Sequence, residues 1–142
     1  MTRFSERVTL LVVEDDDIDF MTIKRSFARE RISNHIVRAH HGEEALKLLI
    51  NNSIPSPYVV LLDLQMPRMG GLEFLDKVRK NKTIANAIVF VLTTSANEQD
   101  IERSYLKNVA GYFVKDEAGK EFIEIVSLLR GYWQIAHLPG EA

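Results

Sequence analysis

Asp63 directly follows the apolar run "YVVLL" and stands four residues before Pro67. A carboxylate at this point can be a solvated strand end, a helix cap, a metal ligand or a nucleophile. Other short apolar runs in the chain also end in residues that could do chemistry. In chain order these are Glu14, Asp15, Asp16 and Asp17 after the first run, Asp63, then Thr93, Thr94 and Ser95, and finally Lys115.

Carboxylates, hydroxyls and an ammonium group at one rim would suit phosphoryl transfer. Clustered carboxylates repel one another, and a hard cation such as Mg²⁺ relieves that repulsion. An ionised Asp63 could then attack phosphorus and form an acyl phosphate. Lys115 would neutralise the charge on the phosphoryl oxygens, and a threonine hydroxyl could hydrogen-bond one of them.

Each of these residues also has an ordinary structural interpretation. Asp16 and Asp17 precede a helical pattern, where acids commonly cap the helix or complement its dipole. Taken alone, Thr93 would be a strand former, Lys115 a solvated lysine and Tyr112 a packing residue. The chemical interpretation depends on the combination, with one such group at the end of each successive run.

Alternating apolar and amphipathic segments predict five strand–helix units. Continuous apolar runs indicate strands buried on both faces, hence a parallel sheet covered by helices on both sides. In such sheets ligands bind beyond the carboxyl ends of the strands. The predicted strands are 8–13, 35–41, 58–62, 87–92 and 111–114, and the predicted helices are about 20–32, 43–50, 70–80, 97–108 and 120–136.

The composition favours a soluble, cytoplasmic, single-domain protein. A chain of 142 residues can bury one substantial core. The net charge of −2 argues against broad nucleic-acid binding, and the absence of cysteine excludes disulfides and thiolate metal sites. No apolar run approaches the length needed to span a membrane. We expect one domain over 1–142, with its core at about 7–136 and a short tail at 137–142.

The successive segments "LLVVEDDDIDF", "VVLLDLQMPRMGGLEFL", "VFVLTTS" and "GYFVK" resemble the signatures of the receiver domain of two-component response regulators. The resemblance implies a flavodoxin-like, doubly wound (βα)5 fold with strand order 2-1-3-4-5. It also implies that Asp63 accepts a phosphoryl group from a histidine kinase, with Lys115 pairing with the phosphate. Mg²⁺ would be held by Glu14, Asp15, Asp63 and the backbone carbonyl of Gln65.

Two further residues take switch roles by the same resemblance. Thr93 lies 22 residues before Lys115 without gaps, a spacing similar to that of small chemotaxis receivers, and is assigned as the switch hydroxyl. Its neighbour Thr94 remains an alternative. Tyr112 falls at the aromatic switch position, where movement of the hydroxyl would remodel the face formed by helix four, strand five and helix five.

The stretches "VLTTSANEQDIERSY" and "YWQIAHLP" are similar to stand-alone regulators paired with phytochrome kinases. This similarity implies a phytochrome-type sensor kinase as partner and a free-standing phosphoprotein without an output domain. The family is not enzymatic in the usual sense, because its members assist only their own phosphorylation and dephosphorylation.

The chain departs from the family pattern after strand five, where Lys115-Asp116 replaces the usual Lys-Pro with its cis peptide. A non-proline cis bond costs about 3–4 kcal/mol, so the expectation is either a trans bond or a strained cis bond. Asp116 could instead cap the last helix, and Asp116 or Glu117 could compete for Lys115.

The last helix carries more apolar residues than one packing stripe requires. A symmetric homodimer through this helix and the tail, with helix four and strand five as further contributors, would cover the surplus. The alternative is that the surplus packs under the "HLPG" tail. The residues concerned are Phe122, Ile123, Ile125, Val126, Leu128, Leu129, Tyr132, Trp133, Ile135 and Ala136.

Two other functions compete with the signalling switch. A Mg²⁺-dependent phosphohydrolase using Asp63 would need a general acid two residues later, where Gln65 cannot transfer a proton. A degenerate receiver that binds partners without phosphorylation would fit the missing proline, although the intact Asp63, Lys115 and acidic pair argue against it.

Overall fold

The computed structural model describes residues 8–115 and 121–139, without the side chains of 121–125 and 133–134. Within these residues five strands alternate with five helices, as the hydrophobic pattern predicts. The elements are β1 (Thr9–Val13), α1 (Asp17–Arg29), β2 (Ile36–Ala39), α2 (Gly42–Ile50), β3 (Tyr58–Leu62), α3 (Gly71–Lys80), β4 (Ile88–Thr93), α4 (Glu98–Leu106), β5 (Gly111–Val114) and α5 (Glu121–Ile135).

All strand pairs are parallel, and the sheet order is β2-β1-β3-β4-β5, which confirms the expected flavodoxin-like topology. The register places Val13 beside Leu62 and Thr93 beside Val114. Because every strand runs in the same direction, the residues that follow β1, β3, β4 and β5 emerge at one edge of the sheet. This edge carries the candidate site.

Two apolar clusters fill the two faces of the sheet. One face packs against α2, α3 and Val109, with Phe74 and Leu75 fully buried in it. The opposite face packs against α1 and α5 through residues such as Phe27 and Leu129. Burial on both faces explains why the central strands have continuous apolar sequences.

The predicted strands 58–62 and 111–114 match β3 and β5, and most other boundaries differ by one or two residues. The first helix differs more, since it begins at Asp17 and ends at Arg29. The helix begins before the predicted residue 20 because Asp16 caps it by accepting a hydrogen bond from the Asp19 N–H at 2.9 Å. Its end precedes Arg31, whose left-handed backbone (φ 58°) is incompatible with a continuing helix.

Helix α5 is only partly covered by the rest of the fold. Val126 and Leu129 are buried against the sheet, and Leu138 of the tail packs into the same cluster. Leu128 remains 58% exposed and Ile135 82% exposed. The tail thus covers some of the apolar surplus, and a part of it stays on the surface.

Among the described residues, no helix has both the length and the apolar character needed to cross a bilayer.

Candidate functional site

The acidic residues of the loop between β1 and α1 have different surroundings and different roles. Glu14 extends the β-ladder, because its N–H donates to the Ala39 carbonyl at 3.0 Å, and its side chain is buried. Asp15 is exposed. Asp16 caps α1, as the sequence predicts, and so is used by the helix. Glu14 and Asp15 are left as the acids available at the strand end.

Asp63 lies where β3 leaves the sheet. Its N–H donates to the Val13 carbonyl at 3.0 Å, which fixes its backbone next to the end of β1. Its side chain is buried, and Oδ1 accepts hydrogen bonds from Thr93 Oγ1 at 2.9 Å and from the Gln65 N–H at 3.2 Å. The fold therefore holds this carboxylate in a defined orientation at the edge of the sheet.

Gly71 makes this placement sterically possible. A Cβ at this position would lie 2.7 Å from the Asp63 carbonyl oxygen and 2.7 Å from Leu64 Cα. Real Cβ atoms do not approach backbone so closely. The start of α3 can therefore pack directly beneath the Asp63 loop only because residue 71 has no side chain.

Lys115 reaches the acidic cluster from β5. Its Nζ donates hydrogen bonds to Glu14 Oε1 and, at 3.0 Å, to Asp19 Oδ2, and it lies 3.6 Å from Asp63 Oδ2. The ammonium group thus bridges three carboxylates. The residues Asp116 and Glu117, predicted as competitors for Lys115 or as a helix cap, lie outside the described part of the chain, as does the geometry of the Lys115-Asp116 bond.

Burial and mutual charge shift the pKa values of this pair. Burial raises the pKa of the Glu14 carboxyl to about 7, and the charge of Asp63 adds to this, although the hydrogen bond from Lys115 acts in the opposite direction. Burial alone would lower the pKa of Lys115, but its hydrogen bond to Glu14 and the nearby charge of Asp63 outweigh burial and raise that pKa. Lys115 is therefore cationic at neutral pH, whereas Glu14 lies near its midpoint.

Oxygen atoms of Glu14, Asp15 and Asp63 all lie within 4.8 Å of one another. Three hard carboxylate donors at this separation, two of them buried, fit a small divalent cation. Burial is the main cause of the raised pKa of Glu14 and the charge of Asp63 adds to it, so a cation bound among these acids would favour the ionised form of Glu14. The Gln65 N–H donates to Asp63 Oδ1, so Gln65 lies next to these acids. The role of its backbone carbonyl as a fourth ligand remains a prediction.

The two neighbouring threonines have different partners. Thr93 is fully buried and donates to Asp63, whereas the exposed Thr94 donates to the side-chain Oε1 of Gln65 at 3.1 Å. The structure therefore brings Thr93, and not Thr94, onto the candidate phosphoacceptor.

Tyr112 is tied to the loop that follows β4. Its hydroxyl donates to the Ser95 carbonyl at 2.8 Å, and its ring packs against the apolar cluster that contains α3. Ser95 in turn donates from Oγ to Asp100 Oδ2 at 2.7 Å, at the start of α4. The aromatic residue assigned to the switch position is thus linked to the β4–α4 loop.

Two further charged residues contact the site, although the pattern of strand ends does not predict them. Asp19 binds Lys115 and stands three residues after the Asp16 cap, which places it in the first turn of α1 above the sheet edge. Arg38 donates to the Glu14 carbonyl from the end of β2. An arginine within a short, half-buried strand is the one sequence signal for the second residue.

A model of the response regulator receiver domain family matches residues 10–127 of this chain. Response regulator Rcp1 of Synechocystis sp. is 30% identical over 129 residues, which cover 87% of this chain and 87% of that protein. The crystal structure of the Mn²⁺-bound form of response regulator Rcp1 superimposes with a TM-score of 0.81 at 28% identity, covering 93% of this chain and 99% of the other.

The phosphorylated cyanobacterial phytochrome response regulator RcpA is similar to the same extent. Its crystal structure gives a TM-score of 0.79 at 31% identity and covers 93% of this chain and 98% of the other.

Proposed function

Because the chain belongs to the response regulator receiver domain family, we propose that it is a signalling switch that accepts a phosphoryl group on Asp63. One observation carries the proposal. The buried Asp63 carboxylate is in contact with a hydroxyl donor (Thr93) and close to an ammonium group (Lys115), and it lies beside two further acids. This set matches the requirements of phosphoryl transfer, in which charge neutralisation and positioning supply most of the catalysis.

In the proposed reaction, an Asp63 carboxylate oxygen forms a bond to phosphorus as the bond to the donor imidazole nitrogen breaks, and the electron pair stays with the imidazole. Lys115 is already 3.6 Å from Asp63 Oδ2 and would turn toward the new phosphoryl oxygens. Thr93 would exchange its hydrogen bond to Oδ1 for one to a phosphoryl oxygen. No general base is needed, because the carboxylate attacks in its ionised form.

Glu14, Asp15, Asp63 and the Gln65 carbonyl would hold Mg²⁺. When bound, the ion would neutralise negative charge on the acids and on the phosphoryl oxygens. The three convergent carboxylates support this assignment, as does the Mn²⁺-bound form of the similar Rcp1.

The phosphoryl donor in this proposal is a sensor histidine kinase, as is general for the family. Similarity to a phytochrome response regulator supports a kinase of phytochrome type. Phosphotransfer from a purified bacterial phytochrome kinase should exceed transfer from an unrelated histidine kinase. Equal rates with both kinases would contradict the phytochrome assignment and leave the acceptor function intact.

The first experiment is phosphorylation by acetyl phosphate with Mg²⁺, followed by intact mass. We expect incorporation of one phosphoryl group, which EDTA present from the start prevents and which is absent in Asp63→Asn. Hydroxylamine should remove the group, because it cleaves acyl phosphates. Asp76→Asn is the matched control, because this carboxylate pairs with Lys80 and Lys107 away from the site. Incorporation that survives Asp63→Asn would refute the assignment, and no incorporation at all would favour a receiver that acts without phosphorylation.

A homodimer through α5 belongs to the same proposal. An apolar groove of about 680 Å³ is formed by α5 with β4 and β5, lined by residues that include Phe90, Phe113 and Tyr132. The exposed Leu128 and Ile135 stand at its rim. A groove beside protruding apolar side chains is self-complementary, so two copies related by a twofold axis could each fill the groove of the other.

Light scattering tests the proposed homodimer independently of phosphorylation on Asp63. Ile135→Glu should convert dimers to monomers at micromolar concentration, whereas Ile18→Glu, at a residue of similar exposure on α1, should not. A monomer for the unaltered chain, with and without a phosphoryl mimic, would refute the dimer.

A further inference from the structure

The guanidinium group of Arg38 contacts the β1–α1 loop and the first residues of α1. Nε and Nη2 donate to the Glu14 carbonyl at 3.1 and 3.0 Å, and Nη2 also donates to the Asp15 carbonyl at 3.3 Å. Nη1 pairs with Asp17 Oδ1 at 2.8 Å. The group lies 4.7 Å from the centre of the Phe20 ring, and the side chain is only 17% exposed. Each of the three nitrogens of this planar group, here called the fork, therefore bonds to the β1–α1 loop or to the start of α1.

The residues held through their backbone are the same residues that contribute two of the three clustered carboxylates. Glu14 meets Arg38 through its carbonyl, while its carboxylate contacts Lys115 and lies within 4.8 Å of the acids of Asp15 and Asp63. Fixing two consecutive carbonyls restricts the backbone that carries both side chains. A rigid planar fork does this better than a flexible ammonium group, because its donors have fixed directions.

We propose that Arg38 is a positioning residue for the divalent cation site, because it holds the β1–α1 loop in the conformation in which Glu14 and Asp15 converge on Asp63. The inference rests on the proposed function. It predicts that loss of the fork weakens cation binding even though it removes a positive charge from the neighbourhood. Loss of a partner that orients metal ligands typically lowers metal affinity by about ten- to a hundred-fold.

The sign of the effect separates positioning from simple electrostatics. A nearby positive charge repels a cation, so a purely electrostatic Arg38 would weaken binding, and its removal would strengthen binding. A positioning Arg38 gives the opposite result. Arg38→Lys sharpens the contrast, because the charge is kept while the fork and its multiple hydrogen bonds are lost.

The experiment is calorimetric titration with Mg²⁺ alone, without a phosphodonor, on the full chain. Arg38→Met and Arg38→Lys are compared with Asp17→Asn, which removes only the exposed ion pair and leaves the bonds to the carbonyls. Arg79→Met is the matched control for loss of a structural arginine. Arg79 also donates to several backbone carbonyls, those of Ala85, Ala87, Lys107 and Asn108, in loops of the α3–β4 and α4–β5 connections.

We expect the dissociation constant for Mg²⁺ to rise by about ten-fold or more in Arg38→Met, to rise nearly as much in Arg38→Lys, and to change little in Asp17→Asn and Arg79→Met. Circular dichroism at the titration temperature establishes that each variant is folded. If Arg38→Met does not fold, Arg38→Lys decides the question, since it retains the charge and the aliphatic stem.

Unchanged or tighter Mg²⁺ binding in folded Arg38→Lys or Arg38→Met would overturn the inference. This outcome is distinct from failure of the proposed function, in which the unaltered chain would bind no Mg²⁺ and Asp63→Asn would make no difference. Equal weakening in Arg79→Met would also overturn it, because the effect would then follow from general loss of stability.

Discussion

The Thr93 hydroxyl donates to Asp63 Oδ1 at 2.9 Å, and both side chains are buried. The bond joins the end of β4 to the end of β3 across neighbouring strands of the sheet. It places the Thr93 hydroxyl against the proposed phosphoacceptor, and it leads to a first test.

Thr93→Val keeps the shape of the side chain and removes the donor. Because a hydrogen bond to a carboxylate is lost in a buried site, we expect the free energy of unfolding to fall by about 1–3 kcal/mol. Thr93→Ser should recover most of this. Urea denaturation gives the measurement, and Thr94→Val is the control, since its hydroxyl contacts only the exposed Gln65 side chain among the contacts described. Equal losses at both positions would contradict the role of the Thr93 bond.

Glu14 should make the metal-free protein less stable as the pH rises. Its pKa in the folded state is about 7, above the ordinary 4.5, so between these values the folded state binds more protons than the unfolded state. Stability contributed by the protonated group is then present below pH 4.5 and is lost as the pH rises toward 7. Melting temperatures in EDTA from about pH 5 to about pH 8 should fall more steeply for the unaltered chain than for Glu14→Gln. Parallel curves would contradict this assignment.

Mg²⁺ should counteract the loss of stability that the metal-free protein shows as the pH rises. The ion binds the ionised carboxylates, so its stabilising effect should grow as Glu14 loses its proton. We expect the difference between melting temperatures with Mg²⁺ and with EDTA to increase with pH up to about 7 and then level off. In Glu14→Gln this difference should be smaller and should not follow the same profile. A difference that is independent of pH in the unaltered chain would contradict the linkage.

Tyr112→Phe should loosen the loop between β4 and α4. The variant removes the hydroxyl that bonds the Ser95 carbonyl, at a cost of about 1 kcal/mol. Hydrogen exchange at residues 95–97 should become faster, while exchange in β1 stays unchanged. Tyr105→Phe, at an exposed tyrosine of α4, is the matched control. Exchange in the loop that does not change in Tyr112→Phe would show that the bond does not restrain it.

Two glycine substitutions should have opposite effects on stability. Gly71→Ala forces a Cβ against the backbone of Asp63 and Leu64, so we expect a loss of about 1–3 kcal/mol together with weaker Mg²⁺ binding. Gly131→Ala in α5 meets no atom within 4 Å and should gain about 0.5–1 kcal/mol. Thermal unfolding of both variants measures the effects. A neutral Gly71→Ala would show that the α3 start shifts without strain.

The order of the elements and the chemistry at the strand ends follow from the sequence alone. Runs such as "VVLL" are buried on both faces, so their length and apolar character specify parallel strands, and the alternation with helices specifies the connections. Parallel strands bring their carboxyl ends to one edge. The pattern of runs therefore suffices to place Asp63, Glu14 and Lys115 together. The cap at Asp16 is equally local, because capping depends on the few residues that follow.

The partners within that edge depend instead on tertiary packing. Thr93 is the last residue of β4 and Thr94 lies just beyond it, so the packing of β4 beside β3 brings Thr93 to Asp63 and leaves Thr94 exposed. Lys115 bridges to Asp19 as well as Glu14 because α1 starts above the same edge. Arg38 meets the acidic loop because β2 pairs with β1. These contacts join residues that are distant in sequence, so the periodicity of apolar side chains does not predict them.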